Sequence, residues 1–104
     1  MAIAMIKAPP DTIKDRSLMI LLRRKQSDER ISKLPREPLK SWYQIRQKCQ
    51  RWYNDNQQKL EHSEPNMPNV GNDRAEDNWF PLMAIADLLG GGWPAYITNA
   101  MLTI

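Results

Sequence analysis

The fold class predicted for this 104-residue chain is mainly α. Three observations predict it. Apolar residues recur at three- and four-residue steps from Leu39 to Leu60. The segment Arg74 to Pro94 carries helix-capping residues, prolines at helix starts and a glycine stop. The strand-like runs are too few to build a sheet. The architecture expected is a long amphipathic helix plus a C-terminal helical hairpin, preceded by a short β or extended segment. Residues 1–35 form that N-terminal segment and residues 36–104 the helical domain.

In chain order, Ala2 to Lys7 is apolar and reads as a short strand. Pro9-Pro10-Asp11-Thr12 reads as a turn, because proline fixes φ and Asp or Thr caps the helical turn that follows through Arg16. Leu18-Met-Ile-Leu-Leu22 is five consecutive apolar residues bounded by polar ones, the pattern of a strand covered on both faces. With one other short strand candidate in the chain, it either pairs with something outside the chain or folds as a helix. Ser27-Asp28-Glu29-Arg30 has the composition of a short helix start.

Pro38 suits the first turn of a long helix ending near Glu61. Its apolar stripe is Leu39, Trp42, Ile45, Cys49, Trp52, Tyr53 and Leu60, with Lys40, Gln47, Lys48, Arg51, Gln58 and Lys59 on the other sides. His62 to Asn72, with Pro65, Pro68 and Gly71, reads as a loop. A helical turn is expected from Asn72 or Asp73 to Asn78. Asn78 then caps a second helix that holds Pro81 in its first turn and carries Leu82, Ile85, Ala86 and Leu89. Gly90 supplies the stop, and Pro94 opens a last helix with the stripe Ile97, Ala100, Met101 and Ile104.

Composition narrows the chemistry. One cysteine, Cys49, and one histidine, His62, cannot supply a four-ligand structural zinc site or an intrachain disulfide. No apolar run approaches a membrane span. A reducing cytoplasm is the expected setting. The four glycines, at 71 and 90–92, precede no lysine and hydroxyl pair that would make a phosphate-binding loop. Glu76 and Asp77 lie beside Arg74 and read as charge-balancing caps rather than an acid–base pair. No catalytic residue, metal or cofactor is expected. The four tryptophans read as structural anchors in preference to base-stacking platforms.

Charge is the better functional signal. Residues 1–61 hold fourteen Lys/Arg against seven Asp/Glu, whereas residues 62–104 hold one against five. Between Lys14 and Arg51 twelve cations face four acids, a density suited to neutralising phosphates without reading sequence. Arg23, Arg24, Lys25, Lys40, Lys48 and Arg51 are the candidate residues for binding nucleic acid or a protein partner.

Asp73 to Pro94 resembles the C-terminal signature of the domain of unknown function 3631 family, found in primase- and helicase-like ATPases of phages, plasmids and integrated elements. Pro10 to Lys25 is similar to the segment that joins the ATPase core to that region. The resemblance implies that Leu18 to Leu22 is a sheet strand in a full-length relative. It implies that an arginine near Arg16 can reach a neighbouring subunit's nucleotide. It does not imply ATP hydrolysis by this chain alone, because no nucleotide-binding lysine precedes Pro9. The function expected is a non-enzymatic module derived from a mobile-element replication ATPase, contacting DNA non-specifically or a replication protein through the basic face. The alternative is a small inhibitor, of anti-defence type, that blocks a host protein. Self-association through the unpaired 18–22 segment is expected in either case.

Overall fold

The computed structural model describes residues 1–103 and contains four helices: α1, Asp11–Lys14; α2, Lys40–Glu61; α3, Asp73–Leu89; and α4, Trp93–Thr103. No strand occurs among the described residues. The chain divides into two compact units. One joins Met1–Ile20 to the chain from His62 onward, and the other is Leu21–Glu61.

In the first unit, the Pro10 carbonyl accepts from the amides of Ile13 and Lys14 at 2.9 and 3.0 Å and opens α1. Ser17 Oγ closes it by donating to the Ile13 carbonyl at 2.6 Å. Asp15, just past α1, holds α3: Asn78 Nδ2 donates to its carbonyl at 3.0 Å, and Arg74 lies 3.4 Å from its carboxylate. Neither Ala2 to Lys7 nor Leu18 to Leu22 forms a strand, and 18–22 is not helical either. A strand needs a ladder partner, and no second strand is present among the described residues. Leu18 and Met19 are half-buried, while Ile20, Leu21 and Leu22 are exposed.

The expected break at Asn78 is absent. Asn72, in extended conformation, caps α3 by accepting from the amides of Arg74 and Ala75 at 3.1 and 3.3 Å, and the helix then runs unbroken to Leu89 with Pro81 inside it. The Asn78 amide reaches Asp15 instead of capping. Proline's fixed φ is helical, so Pro81 removes one amide donor without reversing the chain. Continuity also shifts the buried face. Trp79, Met83, Ala84 and Ala86 of α3 pack with Met101 of α4, whereas Leu82 and Leu89 of the expected stripe remain exposed. On α4, Ile97 and Ala100 are half-buried; Ile104, the last member of its expected stripe, lies outside the described residues.

Gly90 ends α3 as expected, at φ 69° and ψ −156°, with its amide on the Ala86 carbonyl at 3.0 Å. That conformation is essentially reserved for glycine, and a Cβ there would meet nothing within 4 Å. Backbone strain alone therefore sets the effect of Gly90→Ala. It should destabilise the hairpin by roughly 1–3 kcal/mol in urea unfolding, and a neutral result would mean that the turn adopts another conformation.

In the second unit, Ser27-Asp28 forms a turn and no helix starts there, the chain staying irregular until α2. The Glu29 carboxylate folds back to accept from the Gln26 amide at 2.8 Å and from the Arg23 guanidinium, which closes a loop where a helix start was expected. Helix α2 ends at Glu61 as expected but begins at Lys40, so Pro38 and Leu39 precede it and Pro38 does not occupy its first turn. Its stripe, however, is not a core: no α2 residue is buried, and Trp42 and Ile45 are 41% and 59% exposed. Of the four tryptophans expected as anchors, Trp79 is buried and Trp52 half-buried, while Trp42 and Trp93 are exposed. Trp93 makes an edge contact with Tyr96 at a ring separation of 6.0 Å.

Candidate nucleic-acid interface

All six basic residues singled out in the sequence lie in the Leu21–Glu61 unit. This unit holds eleven Lys/Arg against five Asp/Glu, a net charge of +6, whereas the other unit holds four against seven, a net of −3. The charge asymmetry visible along the chain thus coincides with the division into units.

Helix geometry brings Lys40, Lys48 and Arg51 onto one side of α2. At 100° per residue the three fall within about 80° of arc, and Lys40 and Lys48 are about 12 Å apart along the axis. A shallow hollow on α2, lined by Gln44, Gln47, Lys48, Arg51, Trp52 and Asp55, sets two cations beside two amides and an indole. Lys48 and the two amides suit a phosphate backbone, the ammonium pairing with phosphate and the amides donating to phosphate or sugar oxygens, while the Asp55 carboxylate in the same hollow is held by Arg51 and repels an anion. Arg23, Arg24 and Lys25 are in the irregular chain ahead of the 27–28 turn, not on the helix.

Two of the six already have carboxylate partners. Arg51 Nε donates to both Asp55 oxygens at 2.9 and 2.8 Å, and Arg23 forms a two-pronged pair with Glu29, one contact at 3.0 Å. Each carboxylate raises its arginine's pKa above the ordinary value through the shared hydrogen bonds. Arg24, Lys25, Lys40 and Lys48 are exposed and form no ion pair among the described residues. Of the six, these four are open to a ligand, as are Arg30, Lys33, Arg36, Arg46 and Lys59 of the same unit, exposed and likewise without an ion pair among the described residues. The Arg51–Asp55 pairing could be read from its i,i+4 spacing. The Arg23–Glu29 pairing spans a turn of irregular geometry, for which the sequence has no periodic signal.

Arg23 and the Gln26 amide together hold the Glu29 carboxyl below its ordinary pKa. A depressed carboxylate favours the closed loop above the unfolded value and loses that preference as pH falls through the folded one. A carboxyl titration followed by NMR should therefore give Glu29 a midpoint below that of a free glutamate, and loop shifts should move with it. A midpoint at the ordinary value, or loop shifts insensitive to acid, would contradict the closure.

No group of three or more His, Cys, Asp or Glu residues placed to hold a metal ion occurs among the described residues. No helix there is long and apolar enough to cross a membrane. Arg16 is exposed just past α1, its amide on the Ile13 carbonyl at 3.1 Å. Glu76 accepts from the Val70 amide at 3.3 Å, so it braces the entry to α3.

The chain is thus a small helical protein that joins a basic helical unit to an acidic unit built on a helical hairpin. It belongs to the family described as protein of unknown function (DUF3631), whose pattern matches residues 21–104. Pro10 to Ile20, expected to continue the resemblance, lies outside that match. The chain is also similar to an uncharacterized 28.9 kDa protein in the xis 5′ region of Saccharopolyspora erythraea, with 45% identity over 49 residues. That alignment covers 47% of this chain and 18% of the relative's length. No solved structure matches the chain.

Proposed function

We propose that this protein is a non-enzymatic binding module, derived from a mobile-element DNA replication ATPase, that holds nucleic acid through the phosphate backbone. The observation that carries the reading is the confinement of the +6 charge to one unit, with Arg24, Lys25, Lys40 and Lys48 exposed and free of ion pairs among the described residues. Such a surface attracts polyanions without selecting sequence. The relative's position 5′ of xis agrees with a mobile-element setting. Filter binding against single- and double-stranded DNA across a salt series tests the reading. Binding at low salt that weakens steeply as salt rises is expected; absence of binding at low salt would remove it.

A second reading, inhibition of a host protein in the manner of an anti-defence factor, is favoured by one observation. Ile20, Leu21 and Leu22 are 79%, 87% and 90% exposed, an apolar run open to a partner. Capture of one stoichiometric host protein in the absence of DNA, abolished by Leu21→Asp, would support it over the first.

A further inference from the structure

The apolar face of α2 has the spacing of a helix-pairing seam. Trp42, Ile45, Cys49, Trp52 and Asn56 follow one another at steps of three, four, three and four residues, the repeat that keeps one edge of a helix facing a partner helix. None of these residues is buried. Trp42, Ile45 and Cys49 are exposed and Trp52 and Asn56 half-buried, on a helix of 22 residues, about 33 Å long. We propose that α2 pairs with α2 of a second copy of this chain, in antiparallel orientation, centred between Cys49 and Trp52.

The choice of occupant and of direction rests on what each arrangement sets side by side. In the antiparallel pair, layers join residues whose numbers add to about 101. Cys49 of each copy then meets Trp52 of the other, a small side chain against a large one, twice. Trp42 meets Lys59, an ammonium over an indole face. On the flank, Lys48 meets Asp55 of the other copy, again twice by symmetry. Asp55 is 53% exposed at its side chain even while it accepts from Arg51, so it retains room for a second cation. The parallel pair has none of this complementarity. It sets Trp52 against Trp52 and Lys59 against Lys59 in the seam, and leaves Lys48 facing Tyr53. Asn56 lies opposite Ile45 in the antiparallel pair and opposite itself in the parallel one; its Nδ2 donates to the Trp52 carbonyl at 2.8 Å within its own helix, which serves part of its polar end in either direction.

This inference does not depend on nucleic-acid binding, although the pair would draw Lys48 and Trp52 out of the α2 hollow and leave Arg24, Lys25 and Lys40 open to a ligand: a dimer that ignores DNA leaves it intact, and a monomer that binds DNA overturns it. Sedimentation of the full chain at micromolar to submillimolar concentration should give twice the 12.2 kDa chain mass. A monomer throughout overturns the proposal, whether the stripe stays open or another part of the same chain covers it. Ile45→Lys alters a residue exposed in the single chain and should give a monomer with unchanged helical circular dichroism. Lys48→Glu and Asp55→Lys should each weaken association about tenfold, and the double exchange should recover most of it. Direction is read separately in a Cys49→Ala background. A Trp42→Cys chain mixed with a Lys59→Cys chain should form a mixed disulfide under mild oxidation. Disulfides formed instead within each chain type alone would show parallel pairing and overturn the proposal.

Discussion

Met83→Ala is expected to destabilise the first unit by about 2–5 kcal/mol. Met83 is 2% exposed and is the most fully buried large side chain of a core that otherwise consists of Trp79, Met101 and two alanines. Alanines cannot expand into the space left behind, so the loss of apolar contact is compounded by a cavity. Small domains have little stability in reserve, and a change of this size would leave much of the population unfolded at moderate temperature. Urea unfolding followed by tryptophan fluorescence and circular dichroism measures it. A loss below about 1 kcal/mol would place Met83 at an ordinary surface-like position rather than at the centre of the α3–α4 contact.

Pro81→Ala is expected to act in the opposite direction, raising stability by up to about 3 kcal/mol, the helix-interior difference between proline and alanine. Pro81 is exposed and lies nine residues into α3, so the substitution removes no buried contact and restores an amide donor toward the Asp77 carbonyl. Thermal unfolding of the single variant measures the gain. A destabilised variant would show that a bend at Pro81 is needed to seat Trp79 and Met83 together against α4.

The two substitutions probe the region where sequence reasoning met its limit. Helix α2, the Gly90 stop and the start of the last helix were legible because a periodic stripe and glycine or proline punctuation each follow from local backbone chemistry. The unbroken course of α3 was not. Proline in a helix interior is unfavourable by local rules, and those rules do not contain the tertiary terms that favour a continuous α3: the burial of Trp79, Met83, Ala84 and Ala86, and the contacts of Arg74 and Asn78 with Asp15, some sixty residues away in the chain. The Leu18 to Leu22 run misled for a related reason: its composition specifies a strand, but a strand exists only with a ladder partner. For the candidate interface, the sequence located the cations and the charge boundary. It could not distinguish Arg23, drawn to Glu29 across an irregular turn, from Arg24 beside it, which forms no ion pair among the described residues.

The same distinction sharpens the functional claim, because it separates cations that hold the unit together from those open to a ligand. The most direct measurement compares the intact chain with an Arg24→Ala/Lys25→Ala/Lys40→Ala/Lys48→Ala variant in fluorescence anisotropy with duplex DNA over a salt series. The four cations Arg24, Lys25, Lys40 and Lys48 account for roughly 3 to 4 of the log–log salt slope, and the variant should lose that part while its helical circular dichroism is unchanged. A variant that retains both the affinity and the slope, or an intact chain without salt-dependent binding, would contradict the assignment of this surface to nucleic acid.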